Sequence, residues 1–259
     1  MDFTKFFNLP LLASAHGQEV DMVIYLVHAL MLFLFVGWGI FFLYVLFRFS
    51  RRRNQKANYH GLHSHASTVV EAAVVIFEVI LLLGFSIPFW IKRVDALPER
   101  KDTLKLRVVA EQFAWNIHYP GQDGIFGKTD IKFFDKQTNP LGIDPNDPNG
   151  KDDITTINQL HLPIGRPALI YLSSKDVIHS FSLPVMRVKQ DAIPGMRIPV
   201  WFIPTKTGNF EIACAQLCGL GHYHMKGDLI IQTPEDFNAW LEKQAAASKK
   251  DESADSFWN

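Results

Sequence analysis

Two long apolar runs commit the start of this chain to a lipid bilayer. Residues 22 to 47, from Met22 through Phe35 and Trp38 to Phe47, contain no Lys, Arg, Asp or Glu. A helix crosses the hydrocarbon core with about 20 such residues. Backbone in lipid must satisfy its own hydrogen bonds, so a lone apolar run of this length reads as a helix. A second run, residues 69 to 91 from Val69 to Ile91, carries only Glu71 and Glu78 as charges. Between the runs lie Arg48, Arg51, Arg52, Arg53 and Lys56. Positive charge this close to both spans marks the cytoplasmic side. The N-terminus and everything after Ile91 are therefore expected on the outer face, the periplasmic or extracellular side of a bacterial inner membrane.

The expected organisation has four parts: an external tail over 1–21, a transmembrane helical hairpin over 22–95, an external domain over 96–247 and a polar tail over 248–259. Phe6 to Ala15 also has the look of a short signal peptide, but Asn8 and Pro10 interrupt its apolar core. Glu71 and Glu78 are seven residues apart and share a helix face. Carboxylates inside a membrane are costly and are read first as functional groups; a snorkelling or partner-bonded carboxyl is the plainer alternative. His28 reads as a packing residue, and His60, His63 and His65 as a solvated loop. With 26 basic and 26 acidic residues, the chain offers no charge footprint for nucleic acid.

From residue 103 the pattern changes to short β-rich runs between turn residues. Strands are expected at 104–110, 113–119, 168–172, 177–183, 198–203, 209–213 and 228–231, which favours a sandwich or barrel. Residues 120 to 153, rich in Gly, Pro and Asp, read as a surface excursion. Thr233-Pro-Glu-Asp236 opens a helix, with a capping hydroxyl, proline in the first turn and acids at the positive end. That helix is expected to end near Ala247.

The chemistry is concentrated between Cys214 and Met225. The only two cysteines, Cys214 and Cys218, stand there with His222 and Met225. A lone cysteine pair in an exported domain is often a disulfide. Flanked by imidazole and thioether, this pair reads instead as metal ligands, a set that selects copper over hard cations. Gly219 and Gly221 let the backbone curl around an ion. His179 sits in another strand-like run. A mononuclear blue copper site uses one Cys, two His and a weak Met; the second cysteine argues for a second copper.

These pieces closely resemble the cytochrome c oxidase subunit II family of the haem–copper oxidases. The matching stretches are Glu111-Gln-Phe-Ala-Trp-Asn116, Ser174-Lys-Asp-Val-Ile-His-Ser180, Asp191-Ala-Ile-Pro-Gly195 and Cys214-x3-Cys218-x3-His222-x2-Met225. The resemblance implies a two-helix hairpin followed by an all-β cupredoxin-like Greek-key barrel carrying the dinuclear CuA centre. Cys214 and Cys218 would bridge two coppers, His179 and His222 would be terminal ligands, Met225 a weak axial ligand and Gln216 a main-chain carbonyl donor. His224 falls outside the ligand positions. Electron input from cytochrome c would pass through Phe113, Trp115 or both, since the family tryptophan aligns with Phe113. Glu71 aligns with a glutamate at a proton-uptake channel, and Asp176 with one acid of the cytochrome c docking patch, beside Lys175 of opposite sign. The family has glutamate where this chain has Gln216; a neutral amide is a poor ligand for magnesium, which counts against the magnesium site at the subunit I interface.

The implied function is electron transfer from cytochrome c to haem in subunit I, within a complex of further oxidase subunits that reduces oxygen to water and pumps protons. Two other assignments share parts of the pattern. A CuA subunit of a nitric oxide reductase would use the same donors. A quinol oxidase subunit, in which the domain is only structural, would lack them.

Overall fold

The structure is a computed structural model describing residues 8–56, 59–60, 64–94, 97–98 and 100–255. It divides into two compact units, a helical hairpin and a β domain that also contains residues 8–18. The segment 95–96 and His63 lie outside the described residues.

In the hairpin, α1 spans Gly17–Arg48 and α2 spans Ala66–Leu81. A π-helical turn over Leu82–Ser86 leads into α3, Ile87–Val94. Both continuous helical stretches, 17–48 and 66–94, are long and apolar enough to cross a membrane. Each begins before its apolar run because the backbone keeps its helical bonds past the lipid-facing residues. At 1.5 Å per residue, α1 is roughly 48 Å long, more than the hydrocarbon thickness requires. Phe33 and Phe35 are 74% and 78% exposed, an arrangement stable only against lipid or another apolar surface. The exposed His28 ring bonds the Ile24 carbonyl at 2.7 Å, a contact within its own helix.

The β domain is built from two five-stranded sheets. The strands are β1 Leu104–Glu111, β2 Ala114–Tyr119, β3 Ile154–Ile157, β4 Gln159–Pro163, β5 Ala168–Ser174, β6 His179–Leu183, β7 Val188–Ala192, β8 Ile198–Phe202, β9 Gly208–Cys214 and β10 Lys226–Gln232. One sheet has the order β3-β2-β1-β5-β8 and the other β4-β10-β9-β6-β7. Alternation sets the faces: Leu104, Leu106, Val108 and Ala110 of β1 point inward while Lys105 and Arg107 do not. Their inner faces share one core, in which Trp115, Ile170, Phe181, Phe202, Ile212 and Leu229 are all fully buried. This is the two-sheet, cupredoxin-like form of the expected Greek-key barrel.

Three strands, β3, β4 and β7, fall outside the sequence expectation altogether. β3 and β4 are separated only by Asn158, which adopts φ of 58°. Its side-chain oxygen accepts from Trp115 N and its carbonyl accepts from Asp228 N, so this one residue hands the chain from the first sheet to the second. Strand β7, Val-Lys-Gln-Asp-Ala, is too polar to read as a strand, yet it pairs antiparallel with β6. The run expected from Val177 begins instead at His179, because residues 175–178 bend between β5 and β6. Likewise β2 starts at Ala114, since Gln112 and Phe113 make the turn after β1.

Residues 8–16 belong to this domain rather than trailing from it. Ala13 is fully buried, its N–H donates to the Val185 carbonyl, and its own carbonyl accepts from Thr205 N. At the other end, α4 runs Pro234–Asp255, past the expected stop near Ala247. Thr233 caps it, accepting from Asp236 N and donating to the Asp236 carboxylate. Phe237 enters the core, with Trp240 and Leu241 packed beside it.

Candidate metal centre

The site forms where three neighbouring strands of one sheet end together. Strands β9 and β10 pair antiparallel with Ala213 opposite Lys226, so Cys214 and Met225 are the residues where the hairpin opens. Cys214 N donates to the Met225 carbonyl at 3.2 Å, and Ala215 N donates to the Ser180 carbonyl at 3.0 Å. The second bond ties the loop to β6, whose first residue is His179. The loop then turns at Gly219, with φ of 143°, a conformation that favours glycine. A Cβ at Gly221 would lie 2.4 Å from the Phe113 ring, so the absence of a side chain there lets Phe113 cover the loop.

Side chains of unlike chemistry converge on one point. Cys214 Sγ and Cys218 Sγ are 3.8 Å apart, and both thiols are free. The donor atoms of His179, Cys214 and Cys218 lie within 4.8 Å of one another. His179 Nδ1 is 3.1 Å from Met225 Sδ, and Cys218 Sγ is 3.7 Å from the same sulfur. His222 Nδ1 is 3.6 Å from Cys218 Sγ. The Gln216 main-chain oxygen reaches to 3.2 Å of Cys214 Sγ. His179, Cys218 and Met225 are buried, while Cys214 is only partly so. Two thiols, two imidazoles and a thioether form a donor set matched to copper and unsuited to hard cations. Burial, and then the adjacent Cys214 thiol, push the Cys218 thiol up to about 11. A metal must therefore displace that proton to bind.

Asp176 sets the orientation of His179. Its Oδ1 lies 2.8 Å from His179 Nε2. With Nε2 donating there, Nδ1 keeps its lone pair facing the sulfurs, the way a carboxylate fixes the tautomer of a metal-bound histidine. Partial burial pushes the Asp176 carboxyl up, but the bonds from His179 and from the Gln112 and Val177 amides outweigh it and hold the group below its ordinary value. Asp176→Asn is expected to weaken copper binding by about 10–100-fold, measured by chelator competition; an affinity within twofold of the parent would remove this role.

The other residues singled out in the sequence separate. Trp115 is fully buried, edge-on to His179 at 6.2 Å between ring centroids and to Phe181 at 5.4 Å. Phe113 is 38% exposed above the ligand loop. His224 stays at the exposed surface, its ring 3.9 Å from that of Tyr223. Glu71, in the hairpin unit, lines an apolar cavity of about 640 Å³ with Phe33, Trp38, Phe41 and Val70. Gln112 was not singled out as a site residue, though it lies in one of the matching stretches. Its side chain donates to the Cys218 carbonyl at 2.6 Å, and its N–H to Asp176 Oδ2 at 2.7 Å. Its place between β1 and β2, remote from the cysteines in sequence, gave no sign that it braces both halves of the site.

Residues 104–233 match the family model for the periplasmic domain of cytochrome c oxidase subunit II. The chain is 33% identical over 213 residues to an alternative cytochrome c oxidase subunit 2 of Bradyrhizobium diazoefficiens, covering 82% of this chain and 75% of that protein. It is 46% identical over 89 residues to cytochrome c oxidase subunit 2 of Thermostichus vulcanus, covering 34% of this chain and 27% of that one. Among solved structures, the periplasmic domain of subunit II of cytochrome oxidase from Bradyrhizobium japonicum is similar with 29% identity and a TM-score of 0.42, over 58% of this chain and 97% of that domain.

Proposed function

The chain belongs to the cytochrome c oxidase subunit II family, and from that premise we propose that it is the electron-accepting subunit of a terminal oxidase. In this reading it takes electrons singly from cytochrome c and passes them to haem in subunit I, which with further subunits reduces oxygen to water and pumps protons. His179, Cys214, Cys218, His222 and Met225, with the Gln216 carbonyl, would hold two copper ions as a CuA centre. Copper supplies the one-electron couple. The protein's part is to hold the donors still: the Asp176–His179 bond and the Gln112–Cys218 bond fix ligands from two separate loops, so little has to reorganise when charge changes.

The observation that carries this reading is the pair of free thiols 3.8 Å apart, with both histidines and Met225 around them. The complete donor set speaks against a purely structural quinol oxidase subunit. The family assignment favours oxygen over nitric oxide as final acceptor. Purified full-length chain loaded with copper should hold two coppers sharing one unpaired electron by paramagnetic resonance. One copper per chain, or a sulfur–sulfur bond at this place, would overturn the reading.

Electron input is assigned to Phe113, which reaches the surface over the ligand loop, and to Trp115, buried edge-on to His179. Leu217, Leu220 and Tyr223 of the loop are 79%, 98% and 77% exposed. A charge-free apolar rim of this kind suits a lasting subunit interface, and it is assigned to subunit I. Asp176, with its carboxylate turned to His179, serves ligand orientation and adds negative charge to the cytochrome c docking patch. The basic loop between the spans supports assigning the β domain to the outer face. Glu71 is assigned to proton uptake; Glu71→Gln in the assembled oxidase should slow turnover and proton uptake together, and unchanged rates would remove it from the path.

A further inference from the structure

The excursion over residues 120–153 is not a loose loop. Asp130 N donates to the Gly142 carbonyl and Asp144 N to that of Lys128, both at 2.8 Å. Its ends are anchored by Asp147, which accepts from Lys128 N, and by Asp153, which accepts from Gly127 N. Asp153 is itself held by His118 at 2.6 Å, both side chains being 1% exposed. So fastened, the excursion roofs the outer face of β1 and β5 and leaves a cavity of about 270 Å³. Arg107 of β1, Tyr171 of β5, Lys175, Thr129 and Arg197 line it. A second cleft of about 510 Å³ shares Arg107, Thr129, Asp130 and Arg197 with the first.

The charges around this cavity do not cancel. Lys175 is neutralised by Glu111 at 2.7 Å, and Asp130 by Lys132 at 3.2 Å. The Asp144 carboxylate caps the Asn146 amide. Asp153 attracts Arg107 but is already engaged by His118 and Gly127 N. Arg107 lies over the Phe126 ring at 4.1 Å and reaches the Gly127 carbonyl at 3.5 Å. Arg197 has no carboxylate within ion-pair distance among the described residues. Burial, and then repulsion from Arg197, lower the Arg107 guanidinium from its ordinary value. Two guanidiniums lining the same cavity, one of them in no ion pair among the described residues, suit a bound oxyanion, since planar guanidinium forks match phosphate oxygens.

We propose that this cavity is a binding site for a phosphate group, clamped between Arg107 and Arg197 with the Thr129 hydroxyl as a further donor. The site is built by the excursion and does not rest on the copper reading. The test uses the full-length chain in detergent, free of phosphate buffer, titrated with inorganic phosphate by calorimetry at constant ionic strength. Saturable binding that chloride does not displace is expected. Arg197→Gln, at an exposed position, should weaken it at least tenfold with copper content unchanged, and Arg107→Gln should do the same. Competition by AMP would support the site and identify a phosphate monoester as its ligand; saturable phosphate binding without such competition would support it as a site for the free anion. Absence of saturable binding, or an Arg197→Gln affinity within twofold of the parent, would overturn the proposal even if the Arg107 variant failed to fold.

Discussion

If Cys214 and Cys218 bridge two coppers as proposed, Cys218→Ser is expected to abolish that centre. Cys218 is the hub of the donor set: its sulfur lies 3.8 Å from Cys214 Sγ, 3.7 Å from Met225 Sδ and 3.6 Å from His222 Nδ1. A hydroxyl oxygen is hard, keeps its proton at neutral pH and cannot replace a bridging thiolate. Copper should fall from two per chain to one or none, the shared-electron resonance signal should vanish, and electron delivery should drop to background. The fold should survive. The substitution is nearly isosteric, and Gln112 holds position 218 through its carbonyl rather than its side chain. The expected loss of apo stability is about 1 kcal/mol, typical of a single substitution without a large cavity. Gln216→Ala is the matching control: only the main chain of Gln216 approaches Cys214, so the signal should persist. An unaltered signal in the serine variant would end the bridging role.

The second large effect is structural and reaches the site from behind. Trp115→Ala should destabilise the β domain by about 3–5 kcal/mol, the usual range for emptying a buried aromatic site. Trp115 is fully buried and abuts both Phe181 and His179. The cavity would open directly against a ligand, so copper affinity should fall with stability. Trp115→Phe should recover much of both by refilling the space. Denaturant midpoints and chelator competition on the same samples separate the two effects. A cost below about 1 kcal/mol would show that the site collapses around the missing ring, contrary to the close packing expected of a β core.

How much was legible in the residues follows from how local each interaction is. The reading of the hairpin rests on two long apolar runs, which a local window over each displays. The spacing of Cys214, Cys218, His222 and Met225 is held in one loop, so its metal chemistry could be read directly. The α4 start at Thr233 was equally plain, because capping involves residues three apart. By contrast, β3 and β4 are short and owe their strand character to β2 and β10, far along the chain, while β7 is polar and is a strand only through its pairing with β6. Asn158 looks like any loop asparagine until Trp115 N and Asp228 N are seen to converge on it.

The same division runs through the site. Residue types and spacing within one loop point by themselves to copper and to a pair of thiolates that could share it, because ligand preference is a property of the side chains. Only the packing of β6 beside β9 decided that His179 stands over those thiols, and only the folded sheets brought Gln112 to the Cys218 carbonyl and to Asp176. Those contacts close over dozens of residues, and no local pattern encodes them. The excursion over 120–153 makes the same point: its composition announces turns, but the meeting of Arg107 with Arg197 exists only once the sheet beneath it has formed.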